Sequence, residues 1–232
     1  MNGFVQWWDG IAATFVKCFV KDNRYMLLLD GIAVTIKVSL LAVAIGIAIG
    51  LIIAFCNLSK SKTFNLFGKI YTDVIRGTPS VTQLMIIYFV VFASVNWEKW
   101  IIAAIAFGIN SGAYVSEIIR AGILSIDKGQ TEAGRALGLN GAQTMGSVII
   151  PQAVKNIFPA LCNEFIVLIK ETAIVGYVGL VDIQKAGDFI KSATFEAFMP
   201  LIATAVIYFV LIKILTISLA RVEAALRKSE AR

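Results

Sequence analysis

The chain has 232 residues, 58% of them hydrophobic and only 16% charged, with a formal net charge of +6; its mean hydropathy is +0.81. A soluble domain averages roughly 45–50% apolar and about 25% charged residues, and a chain this short must keep much of its surface in water. A soluble fold, a disordered chain and a disulfide scaffold are therefore excluded in favour of an integral membrane protein. The three cysteines, Cys18, Cys56 and Cys162, are too dispersed for a zinc pattern, and the lack of histidine removes His-dependent triads and most zinc enzymes.

In chain order, Phe4, Trp7, Trp8, Ile11, Phe15 and Phe19 recur at helical spacing. They predict a short amphipathic helix on the membrane surface within an extracytoplasmic segment, residues 1–28. Residues 1–16 carry no basic residue, so the segment does not read as a signal peptide. The first span is expected over 31–55, where Lys37 is the only charge; such a helix is about 37 Å long, enough for a tilted crossing. Its Gly46-xxx-Gly50 pair predicts close helix packing. Further spans are expected over about 78–95, 100–119, 157–181 and 197–219, with Trp97 and Trp100 as interfacial anchors.

The basic residues fall on two sides. Lys60, Lys62, Lys69, Arg76, Arg120, Lys128, Arg135, Lys155, Arg221, Arg227, Lys228 and Arg232 lie on one, and Lys17, Lys21, Arg24, Lys99, Lys185 and Lys191 on the other. Twelve against six places the N-terminus outside and the C-terminus in the cytoplasm after five crossings. The expected fold is thus all-α, with 29–221 as a transmembrane domain, a cytoplasmic loop over 120–156 and a cytoplasmic tail over 222–232.

The loop has structure of its own. Thr131 is expected to cap a short helix with Glu132 in its first turn, Gly138 to terminate it, and Asn140 with Gln143 to form a capping box for a second helix. Pro151 is expected to end or bend that second helix. A short helix with a small apolar face of Ala133, Ala136 and Leu137 is a docking peg for a soluble partner.

Glu132-Ala133-Gly134, then Gly138, then Val148-Ile149-Ile150-Pro151 is similar to the EAA loop of permease subunits of bacterial ATP-binding cassette importers, with spacing that agrees throughout. Gly134 replaces the second alanine of that pattern, Val148 an isoleucine and Ile150 a leucine. Arg76-Gly-Thr-Pro79, Ala113 to Gly122, Gly129 to Ala133, Pro159 to Ile166 and Leu168 to Thr172 extend the likeness over about residues 28–221. Together they resemble the polar amino acid branch, which includes histidine, arginine, glutamine and glutamate permeases.

The resemblance implies that Glu132, Ala133, Gly134 and Gly138 form a coupling helix seated in an ATPase subunit. It also implies that Asn163 and Glu164 lie where the amino acid binds, with Thr78, Gln83 and Tyr114 as secondary cavity residues. A carboxylate inside a span costs about 2.5–3.5 kcal/mol on insertion scales, so Glu164 should face either a cavity or an internal partner such as Lys170. Polar packing between helices is the alternative for Thr78, Gln83 and Tyr114. Glu117, Arg120 and Arg76 read as an ion-pair cluster, and Lys170 with Glu171 as a gate or a local pair.

The function so implied is uptake of polar amino acids, with basic ones favoured by an acidic Glu164, across a bacterial inner membrane. The expected partners are a cytoplasmic ATPase dimer, a second permease subunit, identical or related, an extracytoplasmic amino acid-binding protein and the bilayer. No nucleic acid, metal or bound cofactor is expected; ATP and Mg²⁺ would be used by the ATPase, and the chain itself would not be an enzyme. An ion-coupled carrier or channel working without an ATPase, and a non-transporting scaffold, are the rivals; neither accounts for the loop spacing.

Overall fold

The computed structural model describes the backbone of residues 2–228 and the side chains of residues 6–225, and every regular element among them is helical. Helix α1, Asn2–Phe15, widens into a π-helical turn at Val16–Val20. The polar run Lys21–Asn23 then makes a tight turn, with Asp22 and Asn23 at φ 57° and 52°, a region that Asp and Asn tolerate better than most side chains. Helix α2 follows over Tyr25–Leu58, six residues ahead of the expected start at Gly31. Hydropathy stops at Asp30, whereas backbone hydrogen bonding does not.

Between the first and second expected spans lies helix α3, Lys62–Arg76, which the sequence reading did not single out. Its apolar residues Phe64, Phe67, Ile70 and Val74 recur at helical spacing and are exposed, a pattern hidden by its low mean hydropathy. Helix α4, Ser80–Ile86, runs on into a π-helical turn at Ile87–Val91. Helix α3 and the stretch Ser80–Val91 are bent against each other by 104°. Pro79 explains the bend, because a residue before proline is pushed out of the helical region.

Helix α5 spans Lys99–Leu124, α6 Lys128–Ala136 and α7 Gly141–Thr144. After a π-helical turn at Met145–Ile149 comes α8, Ile150–Glu171, then a 3₁₀ segment at Thr172–Val178. The expected continuous span over 157–181 is thus split. The last elements are α9, Ile183–Thr194, and α10, Phe198–Lys228. Residues 222–228 of the expected tail continue α10, and 229–232 lie outside the described residues.

Among the described residues, three helical stretches are long and apolar enough to cross a membrane: Tyr25–Leu58, Lys99–Leu124 and Phe198–Ala225; the bent α3–α4 pair makes a fourth if taken as one span. Helix α8 is also 22 residues long, but Lys155, Glu164, Lys170 and Glu171 keep length and composition alone from assigning it.

Helix α5 is the centre of the molecule, with 67% of its apolar window buried, against 11% for α10. The seam between α2 and α5 is built on small residues. A methyl group added at Gly46 would meet Ser111 Cβ at 3.1 Å, and one at Gly112 would meet Ile49 Cγ2 at 2.7 Å. Gly50 and Gly108 abut Val115 and Ile45 in the same way. Close backbone approach of this kind is how helices gain packing energy where lipid gives them no hydrophobic drive. Phe107, Leu84, Leu168 and Val175 fill the core beside the seam.

Two further features fasten the end of the molecule opposite the α6–α7 hairpin. Asp182 is fully buried and caps α9 by accepting the Gln184 and Lys185 N–H groups at 3.1 and 3.0 Å. It also accepts the Tyr208 hydroxyl of α10 at 2.9 Å. Gly31 lets α2 lie against its carbonyl, where a Cβ would come within 2.8 Å. The N-terminal segment docks nearby, with Cys18 and Phe19 packed on Ala186 and Ile190. Phe19, expected on a membrane-facing stripe, is therefore turned inward. Trp7, Trp8 and Phe15 are more than half exposed, and the Phe4 side chain lies outside those described.

Candidate functional site

The first candidate is the α6–α7 hairpin. Asp127, not Thr131, caps α6, its carboxylate accepting the Gly129 N–H at 2.6 Å. Thr131 lies inside the helix and Glu132 in its second turn, so the expected first-turn role of Glu132 is lost. An acidic side chain at position 127 bonds the backbone two residues on and starts the helix earlier than the hydroxyl at 131 could.

The other end matches the expectation for Gly138. Leu139 N–H reaches the Gly134 carbonyl at 3.1 Å and Gly138 N–H the Arg135 carbonyl at 3.0 Å. Gly138 has φ 81°. This pair of bonds with a left-handed residue between them is a Schellman turn, which favours glycine because it carries no Cβ. The expected capping box is also present: Asn140 accepts the Gln143 N–H at 3.0 Å, and the Gln143 side chain accepts the Asn140 N–H at 2.9 Å. Pro151 does not end the helix. It sits at the second residue of α8, just after the π-helical turn, where the chain accommodates its missing N–H.

Gly134 is the inward side of α6. It is buried against Thr144, whose Cγ2 would lie 2.7 Å from an added Cβ. Glu132 and Ala133 are exposed, and Leu137 is 82% exposed at the tip. The hairpin is tied to the long helices by side-chain bonds. Gln152 of α8 donates to Gln130 at 3.3 Å and Asn156 to Ser125 at 3.0 Å. The first of these bonds joins α6 to α8, and the second joins α8 to the end of α5.

The second candidate is Glu164, midway along α8. Its carboxylate is half-buried and accepts the Ser111 hydroxyl of α5 at 3.0 Å. No Glu164–Lys170 ion pair forms among the described residues. Asn163 is exposed and points away from this bond by the 100° step between successive helical residues.

The secondary candidates are occupied elsewhere. The Gln83 amide donates to the carbonyls of Ile75 and Thr78 and to the Thr78 hydroxyl, at 2.7, 3.1 and 2.6 Å, and its oxygen accepts Asn110 at 2.9 Å. Thr78 in turn donates to Val74 at 2.9 Å. Both hold the α3–α4 bend closed. Tyr114 lies under the Arg76 guanidinium, 5.4 Å from the ring centre, and Glu117 pairs with Arg120 at 2.8 Å. Gln83 and Thr78 thus make polar packing contacts, and Tyr114 lies against the charged cluster.

Ser111 and Asp182 were not singled out by sequence reasoning. Asn110-Ser111 is a polar island inside an apolar span, a signal that was available. Asp182 immediately precedes a helical pattern, the ordinary position of a cap.

The family model described as "Binding-protein-dependent transport system inner membrane component" matches residues 46–228. An arginine transport system permease protein of Bacillus subtilis is 42% identical over 205 residues, 88% of this chain and 94% of that one. A putative glutamine transport system permease protein of Rickettsia bellii is 41% identical over 195 residues, 83% and 89% of the two chains. The glutamine permease of Escherichia coli K12 is 36% identical, over 87% and 93%. The crystal structure of an amino acid ABC transporter with histidines superposes with a TM-score of 0.82 at 44% identity, over 89% of this chain and 98% of that one. An inward-facing methionine ABC transporter, 19% identical with a TM-score of 0.73, shares the fold.

Proposed function

The chain belongs to the family of binding-protein-dependent transport system inner membrane components, and from that premise we propose how its parts serve uptake. It is a membrane permease subunit of an ATP-binding cassette importer of polar amino acids. Its relatives named for glutamine and arginine support the substrate class, and Glu164, half-buried within α8, favours substrates carrying an ammonium or guanidinium group.

Five crossings, with the N-terminus outside and the C-terminus in the cytoplasm, give the hairpin end access to the ATPase. They use α2, the bent α3–α4 pair, α5, α8 with its 3₁₀ extension, and α10. Two permease chains, identical or related, enclose the pathway. An extracytoplasmic binding protein delivers the amino acid. ATP and Mg²⁺ are handled by a separate ATPase dimer, and this chain holds no cofactor of its own.

The observation that carries the proposal is the hairpin: an exposed two-turn helix, fixed at both ends by local caps and bonded to α8, the helix that bears Glu164. ATPase closure moves α6, and α8 passes that movement to the Ser111–Glu164 pair. Glu132, Ala133 and Leu137 form the outer face toward the ATPase, while Gly134 sets the spacing to Thr144 and Gly138 the turn.

The test uses purified complexes with one binding protein and measures transport of arginine, lysine, histidine and glutamine. Glu164→Gln retains an oxygen that can accept from Ser111 but removes the charge. A lost charge-assisted hydrogen bond, about 1.5–3 kcal/mol, predicts a 10- to 150-fold weaker interaction with cationic substrates. Apparent affinities equal to those of the wild type, with unaltered preference across the four amino acids, defeat the substrate-contact assignment. Unchanged coupling in Glu132→Ala and Gly138→Leu removes the hairpin from the mechanism.

A further inference from the structure

An apolar cleft of about 510 Å³ opens between α2, α5 and α8 beside the hairpin. Ile47, Leu51, Phe55 and Leu58 line it from α2, Ile123 from α5 and Phe158 from α8. Leu51 and Phe55 are 43% and 63% exposed, so the cleft faces outward from the chain. It offers water almost nothing to bond, and a water molecule needs two to four polar partners to be held in such a space. The same lining makes it a poor route for a polar amino acid. Hydrocarbon is the matter that fills it.

Its dimensions and its mouth narrow the choice. From Ile47 to Leu58 the helix rises about 16 Å, roughly half of a bilayer core of about 30 Å. The cleft therefore spans one leaflet. It ends at Ser59 and at Met145 of the hairpin. Lys60 and Lys62 follow Ser59 directly, and both are exposed. An apolar slot one leaflet deep, with two cations at its polar end, matches a phospholipid with an anionic headgroup.

We infer that this cleft binds one anionic phospholipid of the cytoplasmic leaflet, its acyl chain along α2 and α8 and its headgroup at Lys60 and Lys62. The inference rests on the membrane placement proposed above. It has a functional consequence. The occupied wall includes Met145 and Ile150, where the hairpin becomes α8. The lipid is thus wedged against the joint through which α6 drives α8, and its presence stiffens that joint.

The test is retention of lipid by the purified permease–ATPase complex. The complex is incubated with vesicles of phosphatidylglycerol or phosphatidylcholine, re-extracted, and the bound lipid quantified by mass spectrometry. Wild type should retain phosphatidylglycerol preferentially. Lys60→Gln with Lys62→Gln should lower that preference about thirty-fold, the worth of two surface lysines. Val154→Trp, which blocks the cleft from a half-exposed lining position, should displace both lipids.

Equal retention of both lipids by all three proteins would mean unspecific boundary lipid and would overturn the inference. So would a disulfide between two copies carrying Leu51→Cys and Phe158→Cys, which would seat a second permease there. Failure of the transport proposal reads out separately, as loss of ATPase co-purification with lipid retention intact.

Discussion

Two turns of this protein do similar jobs by different means. The α6–α7 hairpin is exposed and secured by bonds within a few residues of sequence, from Asp127 to Gly129, Leu139 to Gly134 and Asn140 to Gln143. The turn at Asp182 is buried, and its carboxylate reaches across to Tyr208, 26 residues away. If the hairpin takes up the proposed coupling, the local bonds that cap its helices would keep its shape. The Asp182 turn keeps its place because three other elements press on it. A part proposed to move and a part that anchors the fold call for these two kinds of restraint.

The largest predicted effect is at the fixed turn. Asp182→Ala leaves two backbone N–H groups and the Tyr208 hydroxyl without their acceptor in a fully buried site. Each orphaned donor costs roughly 1–3 kcal/mol, partly relieved by relaxation. A total loss of about 3 kcal/mol in unfolding free energy in detergent is expected. Asp182→Asn, which can still cap, should lose less than half of that. Equal losses in the two variants would show that the charge matters and the cap does not.

Next comes Gly138. Its surroundings are open, with nothing within 4 Å of an added Cβ, so Gly138→Val tests the backbone alone. A side chain at φ 81° costs roughly 1–2 kcal/mol, more for a β-branched residue. Insertion should be normal while ATPase co-purification falls. Asn140→Ala removes half of the capping box and should cost about 1 kcal/mol. It should be visible as faster amide exchange at Gln143 and Thr144 with global stability unchanged. If either variant lowered the unfolding midpoint as far as Asp182→Ala, the distinction between local and long-range restraint would be wrong.

The same distinction explains what the sequence disclosed. Gly138 and the Asn140–Gln143 box depend on neighbours within a few residues, and the Gly46–Gly50 pair, though it packs on α5, shows itself by its own four-residue spacing. The helix in 62–76 is equally local but was obscured by averaging over its polar face. Glu164 was recognisable as a misplaced charge, yet its partner Ser111 lies 53 residues away, and no pattern in the chain links them. Thr78 and Gln83 show the converse. Both are polar at a span entrance, and only their bonds to Val74, Ile75 and Asn110 reveal that they close a bend. Asp127 displaced Thr131 as the cap because two acceptable caps stood four residues apart, and the three-dimensional path of the loop chose between them.

The smallest effect tests the N-terminal docking. Lys17 pairs with Glu196 at 2.9 Å, joining the end of the first helical segment to the α9–α10 turn, but the two side chains remain 48% and 38% exposed. Water and salt screen such a pair, and ordering two long side chains offsets much of the attraction, so exposed ion pairs contribute about 0–1 kcal/mol. The apolar contact beneath it is different: Cys18 is fully buried and Phe19 nearly so, against Ala186 and Ile190. Removing the buried Phe19 ring should therefore cost clearly more than breaking that exposed pair. Lys17→Ala should leave the segment docked, with a shift in unfolding free energy below about 1 kcal/mol that vanishes at high salt. Phe19→Ala should release it, making the buried thiol of Cys18 reactive to a soluble thiol reagent. If Lys17→Ala released the segment as fully as Phe19→Ala, the clasp would be electrostatic, and the N-terminal region would belong with the Asp182 turn as a site held by polar contacts at long range.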